Sequence, residues 1–260
     1  MKTLLITGGS SGIGLAAVQH FAQKGWTVFE LSRSGISGTS VHHVFCDVTD
    51  EQSIQTALDE VMKITPSIDV VISNAGYGIS GAVEFTSSEE AHRQFDVNFF
   101  GAFYLVKHVL PILRQQGKGH LLFTSSVAAD LSIPYQSFYS ASKSALNAFA
   151  LALANEVREF GVKVSVLMPG DVVTGFTEAR EKCEAGNAVY KNAESAVAAM
   201  ERDEQSGIQP MQIARILYWM ATRKHPKPIY IGGNIYKVYY ILNKILPKRL
   251  VNWIIGKLYC

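Results

Sequence analysis

Thr7-Gly8-Gly9-Ser10-Ser11-Gly12-Ile13-Gly14 stands between a short apolar run at 4–7 and a segment at 14–24 whose apolar residues recur every three or four positions. Strand, glycine-rich turn and helix in that order can cradle a dinucleotide pyrophosphate. Glycine lacks a Cβ and tolerates positive φ, so the backbone can approach the anion, and the helix N-terminus offers unpaired N–H groups and the positive end of its dipole. Gly8, Ser10, Ser11, Gly12, Ile13 and Gly14 are therefore candidate cofactor contacts. The spacing is G-x3-G-x-G instead of the commoner G-x-G-x-x-G, so the loop needs support from the rest of the chain.

That support comes from the rhythm on either side. Short runs rich in Val, Ile, Leu and Phe at 27–32, 41–45, 69–73, 120–124, 163–168 and 228–231 read as further strands. Segments of helical period at 50–63, 89–116, 137–160 and 212–223 lie between them. Near-continuous apolar strands alternating with helices imply a parallel sheet covered on both faces. The expected fold is α/β, a Rossmann-type doubly wound sheet of seven parallel strands in a single domain spanning 1–260. Residues 175–210 are polar, charged and too long for a plain connection, which suggests a substrate lid. Residues 235–260 form an apolar, aromatic and basic extension.

Composition narrows the function. The chain has 260 residues, 48% of them hydrophobic and 18% charged, which excludes disorder. Its 24 Lys and Arg against 22 Asp and Glu give a net charge of +2, too balanced for a dedicated nucleic-acid binder. Cys46, Cys183 and Cys260 are widely spaced and odd in number, which suits a reducing compartment, and a cytoplasmic location is expected. No metal-ligand spacing appears, so no metal is expected. The apolar run at the N-terminus is too short for a secretory signal, and no stretch reaches the length of a membrane span.

The strand at 27–32 ends Phe29-Glu30-Leu31-Ser32-Arg33. Enzymes that use NAD place a carboxylate at this tip for the ribose 2′-hydroxyl, whereas an arginine accommodates a 2′-phosphate. Ser32 occupies the carboxylate position, Glu30 falls two residues early and Arg33 follows at once. NADP(H) is therefore expected in preference to NAD(H), with Arg33 as the discriminating contact.

Ser125-Ser126 close the strand at 120–124, and Tyr139 and Lys143 sit four apart on the next helix, on one face. Y-x-x-x-K alone is ordinarily a surface pair. Beside a phosphate loop and a serine thirteen residues upstream of the tyrosine, it reads as a proton relay. Hydride transfer to a carbonyl creates an alkoxide that must gain a proton. A nearby ammonium is expected to lower the tyrosine pKa, and Ser126 to hold the carbonyl oxygen.

With these residues in place the sequence resembles the classical short-chain dehydrogenases/reductases, from Lys2 to about Gly233. Separate motifs occur in order. Thr7 to Gly14 matches T-G-x-x-x-G-x-G, and Asn74-Ala75-Gly76 matches N-A-G. Pro169-Gly170-Asp171-Val172-Val173-Thr174 matches P-G-x-V-x-T. The resemblance implies that Asp47-Val48 meet the adenine ring and that Asn74, Ala75 and Gly76 lie against the adenosine ribose. It implies that Pro169, Gly170, Val172 and Thr174 receive the nicotinamide carboxamide, and that Ser10 or Ser11 assist Arg33. By the same resemblance Asn98, Ser126, Tyr139 and Lys143 are catalytic. Asn98 holds a relay water through its backbone carbonyl, and Lys143 also binds the nicotinamide ribose.

Within the family the closest likeness is to the 17β-hydroxysteroid and retinol dehydrogenases and acyl-dihydroxyacetone-phosphate reductases. It is carried by Ser10 to Gly14, Asn74 to Gly78 and Thr174-Gly175-Phe176. Apolar residues at Tyr77, Ile79, 131–135 and Phe176 suit a hydrophobic alcohol or ketone. The leading expectation is an NADP(H)-dependent oxidoreductase acting on a hydroxysteroid-, retinoid- or lipid-like substrate, assembled as a homodimer or homotetramer. The alternatives are a dinucleotide-binding sensor or scaffold without turnover, and a membrane-surface acyl-ketone reductase. The tail beyond Pro247 has two readings. It is a basic amphipathic helix lying on a membrane, or it covers the substrate mouth or a subunit interface. The second is favoured because amphipathic helices mostly pack on a core.

Overall fold

The structure, a computed structural model, describes residues 1–35 and 37–259. Cys260, the third cysteine and the end of the expected tail, lies outside the described residues. The chain begins β1 (Thr3–Thr7), α1 (Gly12–Gln23), β2 (Thr27–Ser32), β3 (Val41–Phe45), α2 (Glu51–Ile64) and β4 (Val70–Ser73). It continues β5 (Ile79–Ser80), α3 (Ser88–Phe95), a π turn (Asp96–Phe100), α4 (Gly101–Gln116), β6 (Gly119–Thr124), α5 (Ser137–Glu156) and β7 (Val162–Pro169). Last come β8 (Glu181–Lys182), α6 (Ala193–Gln205), α7 (Pro210–Ala221), β9 (Ile229–Gly232), α8 (Asn234–Ile245) and α9 (Lys248–Tyr259).

Seven parallel strands form one sheet in the order β3-β2-β1-β4-β6-β7-β9, while β5 and β8 make a small separate pair. Alternation along β1 shows why the sheet is covered on both sides. Leu4 and Ile6 pack with Phe21 of α1 and Ile213 and Leu217 of α7, whereas Leu5 between them packs with Phe29, Leu105 and Phe123 on the α2–α4–α5 side. Each of these side chains is essentially solvent-free, and such burial contributes about 1.5–3 kcal/mol per residue. Local signals agree with the packing. Asp50 caps α2 by accepting from Gln52 N–H at 2.9 Å, and Ser87 and Glu90 form a capping box at α3.

Two helices differ from expectation. The single helix expected at 89–116 is divided by the π turn, which widens the backbone around Asn98. The helix expected at 137–160 ends at Glu156 and is followed by a 3-10 turn, Arg158–Phe160, that Gly161 terminates. Apolar spacing survives both changes, so periodicity alone does not register them.

β1 lies between β2 and β4, so the direction of strand succession reverses at the β1–β4 boundary. In such sheets ligands bind at the carboxyl ends of the strands beside that reversal. Thr7 and Ser73 end there, immediately before the phosphate loop and Asn74.

His120, at the start of β6, is a buried histidine whose Nε2 lies 3.1 Å from Ser165 Oγ. Burial pushes its pKa down to about 4. The unfolded chain then binds more protons than the folded one between about pH 6.5 and 4, so stability falls as pH falls through that window. We expect urea unfolding to report a loss of about 2–3 kcal/mol from this residue on going from pH 7 to 4. His120→Asn should flatten that part of the pH dependence; an unchanged profile would assign it to other groups.

Candidate active site

The phosphate loop is held by its neighbours as well as by its glycines. Gly8 has a φ of +66°, and a Cβ there would stand 2.8 Å from Ala75 Cα. A Cβ at Gly14 would fall 2.0 Å from the Gly8 carbonyl oxygen, so the turn closes only with glycine at both positions. Asn74 Nδ2 donates to the Gly8 carbonyl at 3.1 Å, and Thr7 Oγ1 accepts from the N–H groups of Asn74 and Ala75 at 3.1 and 3.2 Å. Ser11, at the head of α1, makes no side-chain cap. The first-turn amides remain available to an anion. A narrow backbone cradle at a helix N-terminus fits a pyrophosphate.

A cavity of about 700 Å³ runs from this loop across the carboxyl ends of the strands. At its far side it is lined by Ser32, Arg33, Asp47 and Val48. Asp47 accepts from the N–H and hydroxyl of Thr49 at 3.0 and 2.8 Å. Glu30 is absent from the lining; it is buried, with Oε2 2.7 Å from His43 Nδ1 on β3. Arg33 is exposed and makes no ion pair among the described residues.

Ser126, Tyr139 and Lys143 converge on the same cavity from the end of β6 and the start of α5. Lys143 is buried and donates from Nζ to the Thr124 carbonyl at 3.0 Å. Its Nζ is 5.9 Å from the Tyr139 ring centroid. Burial lowers the lysine pKa to about 8. Burial also pushes the Tyr139 phenol up to about 12, against a hydrogen bond from Ser126 that favours phenolate. In the cavity without a bound nucleotide, burial is thus the larger influence on the phenol, and the hydrogen bond with Ser126 opposes it. At neutral pH Tyr139 is a proton donor.

The cavity also gathers Gly8, Ser10, Ser11, Gly12 and Ile13, then Asn74, Ala75 and Gly76, and Pro169, Gly170, Val172 and Thr174. Gly14 and Asn98 stand behind its wall. Gly14 lies under Gly8. Asn98 Oδ1 accepts from Tyr77 N–H at 3.0 Å, while Nδ2 donates to the Tyr77 carbonyl and to Ser142 Oγ at 3.0 and 3.1 Å. Its side chain fastens the loop after β4 to α5. Of the expected substrate-side residues, Tyr77, Ile133 and Phe176 reach the cavity, and Ile79, Leu131 and Tyr135 do not. Ile79 instead belongs to the small β5–β8 pair.

Three further features were not read from the sequence. Arg180, with a side chain wholly out of solvent, pairs with Glu204 and lies 5.6 Å from the Phe176 ring centroid; that ring meets Tyr139 at 5.6 Å. Asp171 accepts a hydrogen bond from Tyr236 of α8. Gln94 is fully buried, accepting from Ile79 N–H at 2.9 Å and donating to the Tyr77 carbonyl at 2.7 Å. In a charged run such as Arg180-Glu181-Lys182, only folding reveals which charge turns inward. Glu181 and Lys182 are partly exposed and pair with Arg93 and Glu201, as a solvated lid face would.

Residues 2–185 match the model of the short chain dehydrogenase family. The chain is 34% identical over 257 residues to a 3-ketodihydrosphingosine reductase of Bacteroides thetaiotaomicron, covering 97% of this chain and 96% of that one. It is 32% identical to a probable short-chain type dehydrogenase/reductase of Helicobacter pylori, covering 94% and 92%. A short-chain dehydrogenase structure from Streptomyces avermitilis superposes with a TM-score of 0.81 at 27% identity, covering 94% and 95%.

Proposed function

This chain belongs to the short chain dehydrogenase family, and from that premise we propose that it uses NADP(H) to reduce the ketone of a hydrophobic, lipid-like molecule. Membership makes it an oxidoreductase interconverting alcohol and carbonyl groups with a nicotinamide dinucleotide. The observation that carries the reductive reading is the pairing of a protonated Tyr139 with Ser126 and a buried Lys143 in one cavity. When bound, the reduced nicotinamide supplies the hydride. Ser126 donates a hydrogen bond to the carbonyl oxygen and stabilises the charge that develops there. Tyr139 gives its proton to that oxygen. Lys143 places a positive charge beside the phenol as it loses that proton, and offers donors to the ribose. The intact set speaks against a sensor or scaffold without turnover.

Two observations support the finer choices. The relative named for 3-ketodihydrosphingosine reduction favours the lipid-ketone arm of the expected substrates over steroids and retinoids. Phe176 packs on the Tyr139 ring, and Met200, Ile133 and Tyr259 add apolar lining to the same cavity. The segment 175–210, which provides Phe176, Met200 and Glu204, acts as the lid. Free Cys46 and Cys183 suit the cytoplasm. The test is loss of NADPH absorbance with a panel of long-chain ketones, steroids, retinoids and small aldehydes. The largest kcat/KM should fall on a long-chain ketone; preference for a compact steroid would refute the lipid reading.

Arg33 supports NADP(H), and its removal tests that choice directly. A 2′-phosphate that loses a charge-assisted hydrogen bond loses about 1.5–3 kcal/mol. Arg33→Ala should therefore weaken NADPH about ten- to hundredfold and leave NADH nearly unchanged, as read by cofactor titration. Equal losses for both would make Arg33 a structural residue.

A further inference from the structure

The last two helices leave their apolar faces to solvent. On α8, Ile235, Val238, Tyr239, Ile241, Leu242 and Ile245 are exposed, the last at 73%. On α9, Leu250, Trp253, Ile254 and Leu258 are exposed, with Trp253 at 61% and Leu258 at 68%. Only Leu246 and Pro247 separate the two helices. Isolated apolar side chains on a surface are ordinary, but a run of this size over consecutive helices marks a contact surface.

Charge identifies what the surface fits. Residues 234–260 contain Lys237, Lys244, Lys248, Arg249 and Lys257 and no Asp or Glu. The remainder of the chain therefore carries 19 basic against 22 acidic residues, a net of −3, beside a tail of +5. A second copy docked through this surface about a two-fold axis would bring like charge against like. An anionic phospholipid surface supplies the opposite charge and an apolar interior at once, and Trp253 is an interfacial side chain. On α8 the helical spacing sets Lys237 on one border of the apolar stripe, where its ammonium reaches headgroups while its stem stays in the apolar layer; Lys244, next along that border, pairs with Asp130 at 3.3 Å.

α9 also reaches the catalytic cavity. α9 packs on α6, and Tyr259 at its end lines the cavity with Phe176, Met200 and Glu204. Tyr259 Oη lies 3.5 Å from Asp203 Oδ2. Tyr259 thus stands at the cavity while Leu258 and Ile254 of the same helix are exposed.

We propose that α8 and α9 are a docking face for an anionic phospholipid bilayer, which sets the cavity mouth at the lipid surface. Delivery of a substrate from that surface rests on the lipid-ketone reading above; the docking does not. No helix among the described residues is long and apolar enough to cross a membrane, so the contact is interfacial.

Flotation of the full chain with vesicles tests this without turnover, so a failed substrate panel leaves the result intact. The vesicles are phosphatidylcholine alone or with about a third phosphatidylglycerol, each at low and high salt. The chain should float with the anionic vesicles and be released by salt. Lys237→Gln, Lys248→Gln, Arg249→Gln and Lys257→Gln together should lower that affinity at least about a hundredfold, at about fivefold per charge. Ile245→Ser with Trp253→Ser should lower it at least about tenfold by removing buried apolar area. Both variants should keep the wild-type Tm and their rate on a water-soluble ketone. A chain that stays in the supernatant with anionic vesicles overturns the proposal. So does vesicle binding that survives both sets of substitutions, or a dimer in solution that the apolar variant splits while vesicles recruit nothing.

Discussion

Tyr139→Phe is expected to lower the rate of ketone reduction by about 10²–10⁴-fold while NADPH binding stays within about twofold. The substitution removes one hydroxyl from a partly buried ring and leaves the packing on Phe176 and Lys143 in place. The lost group is the proton donor, and water admitted to the cavity is a poor substitute because it is not held beside the carbonyl oxygen. Steady-state turnover together with fluorescence titration of NADPH separates chemistry from binding. A variant with near-wild-type turnover would remove Tyr139 from the mechanism and leave Ser126 as the only hydroxyl on the relay.

Lys143→Met should abolish measurable turnover and weaken NADPH, and at the same time raise the Tm of the cofactor-free protein by a few degrees at pH 7. The two effects have one origin. Burial depresses the lysine from its ordinary range to about 8, so at neutral pH the folded state carries an ammonium that would rather be solvated. That difference of about two pKa units corresponds to about 3 kcal/mol against folding. The folded-state pKa lies below the unfolded one, so the penalty is complete below about pH 8 and is relieved as pH rises from there toward the unfolded value. Losing the bond to the Thr124 carbonyl returns about 1 kcal/mol. In the wild type, reduction should slow as pH rises through about 8 and the ammonium is lost. A lower Tm in the Met variant would mean the lysine is held for structure.

These expectations rest on a site that was largely legible in advance. The phosphate loop, Arg33, Ser126, Tyr139 and Lys143 are local signals, a few residues in fixed order on a strand end or a helix face, and each reaches the cavity where its spacing placed it. The sheet was legible for the same reason, since strand identity lies in short apolar runs. Other features depend on partners distant in sequence. Arg180 turns inward because Glu201 and Glu204 of α6 meet it, and Asp171 is fixed by Tyr236 of α8, 65 residues away. The π turn at Asp96–Phe100 leaves the apolar period of its neighbours intact, so nothing in the pattern announces it.

The division of the interior into two separate layers determines what light can see of this molecule. Trp26 is buried on the α1–α7 side of the sheet, Trp219 is partly exposed on α7, and Trp253 stands on α9. No tryptophan lies in the α2–α4–α5 layer, which includes the helix bearing Tyr139 and Lys143. Intrinsic emission therefore follows one half of the protein and its tail. If the catalytic layer opens first under denaturant, far-ultraviolet dichroism will change while tryptophan emission holds steady, and a single midpoint from fluorescence will overstate how firmly the working half of the enzyme is built.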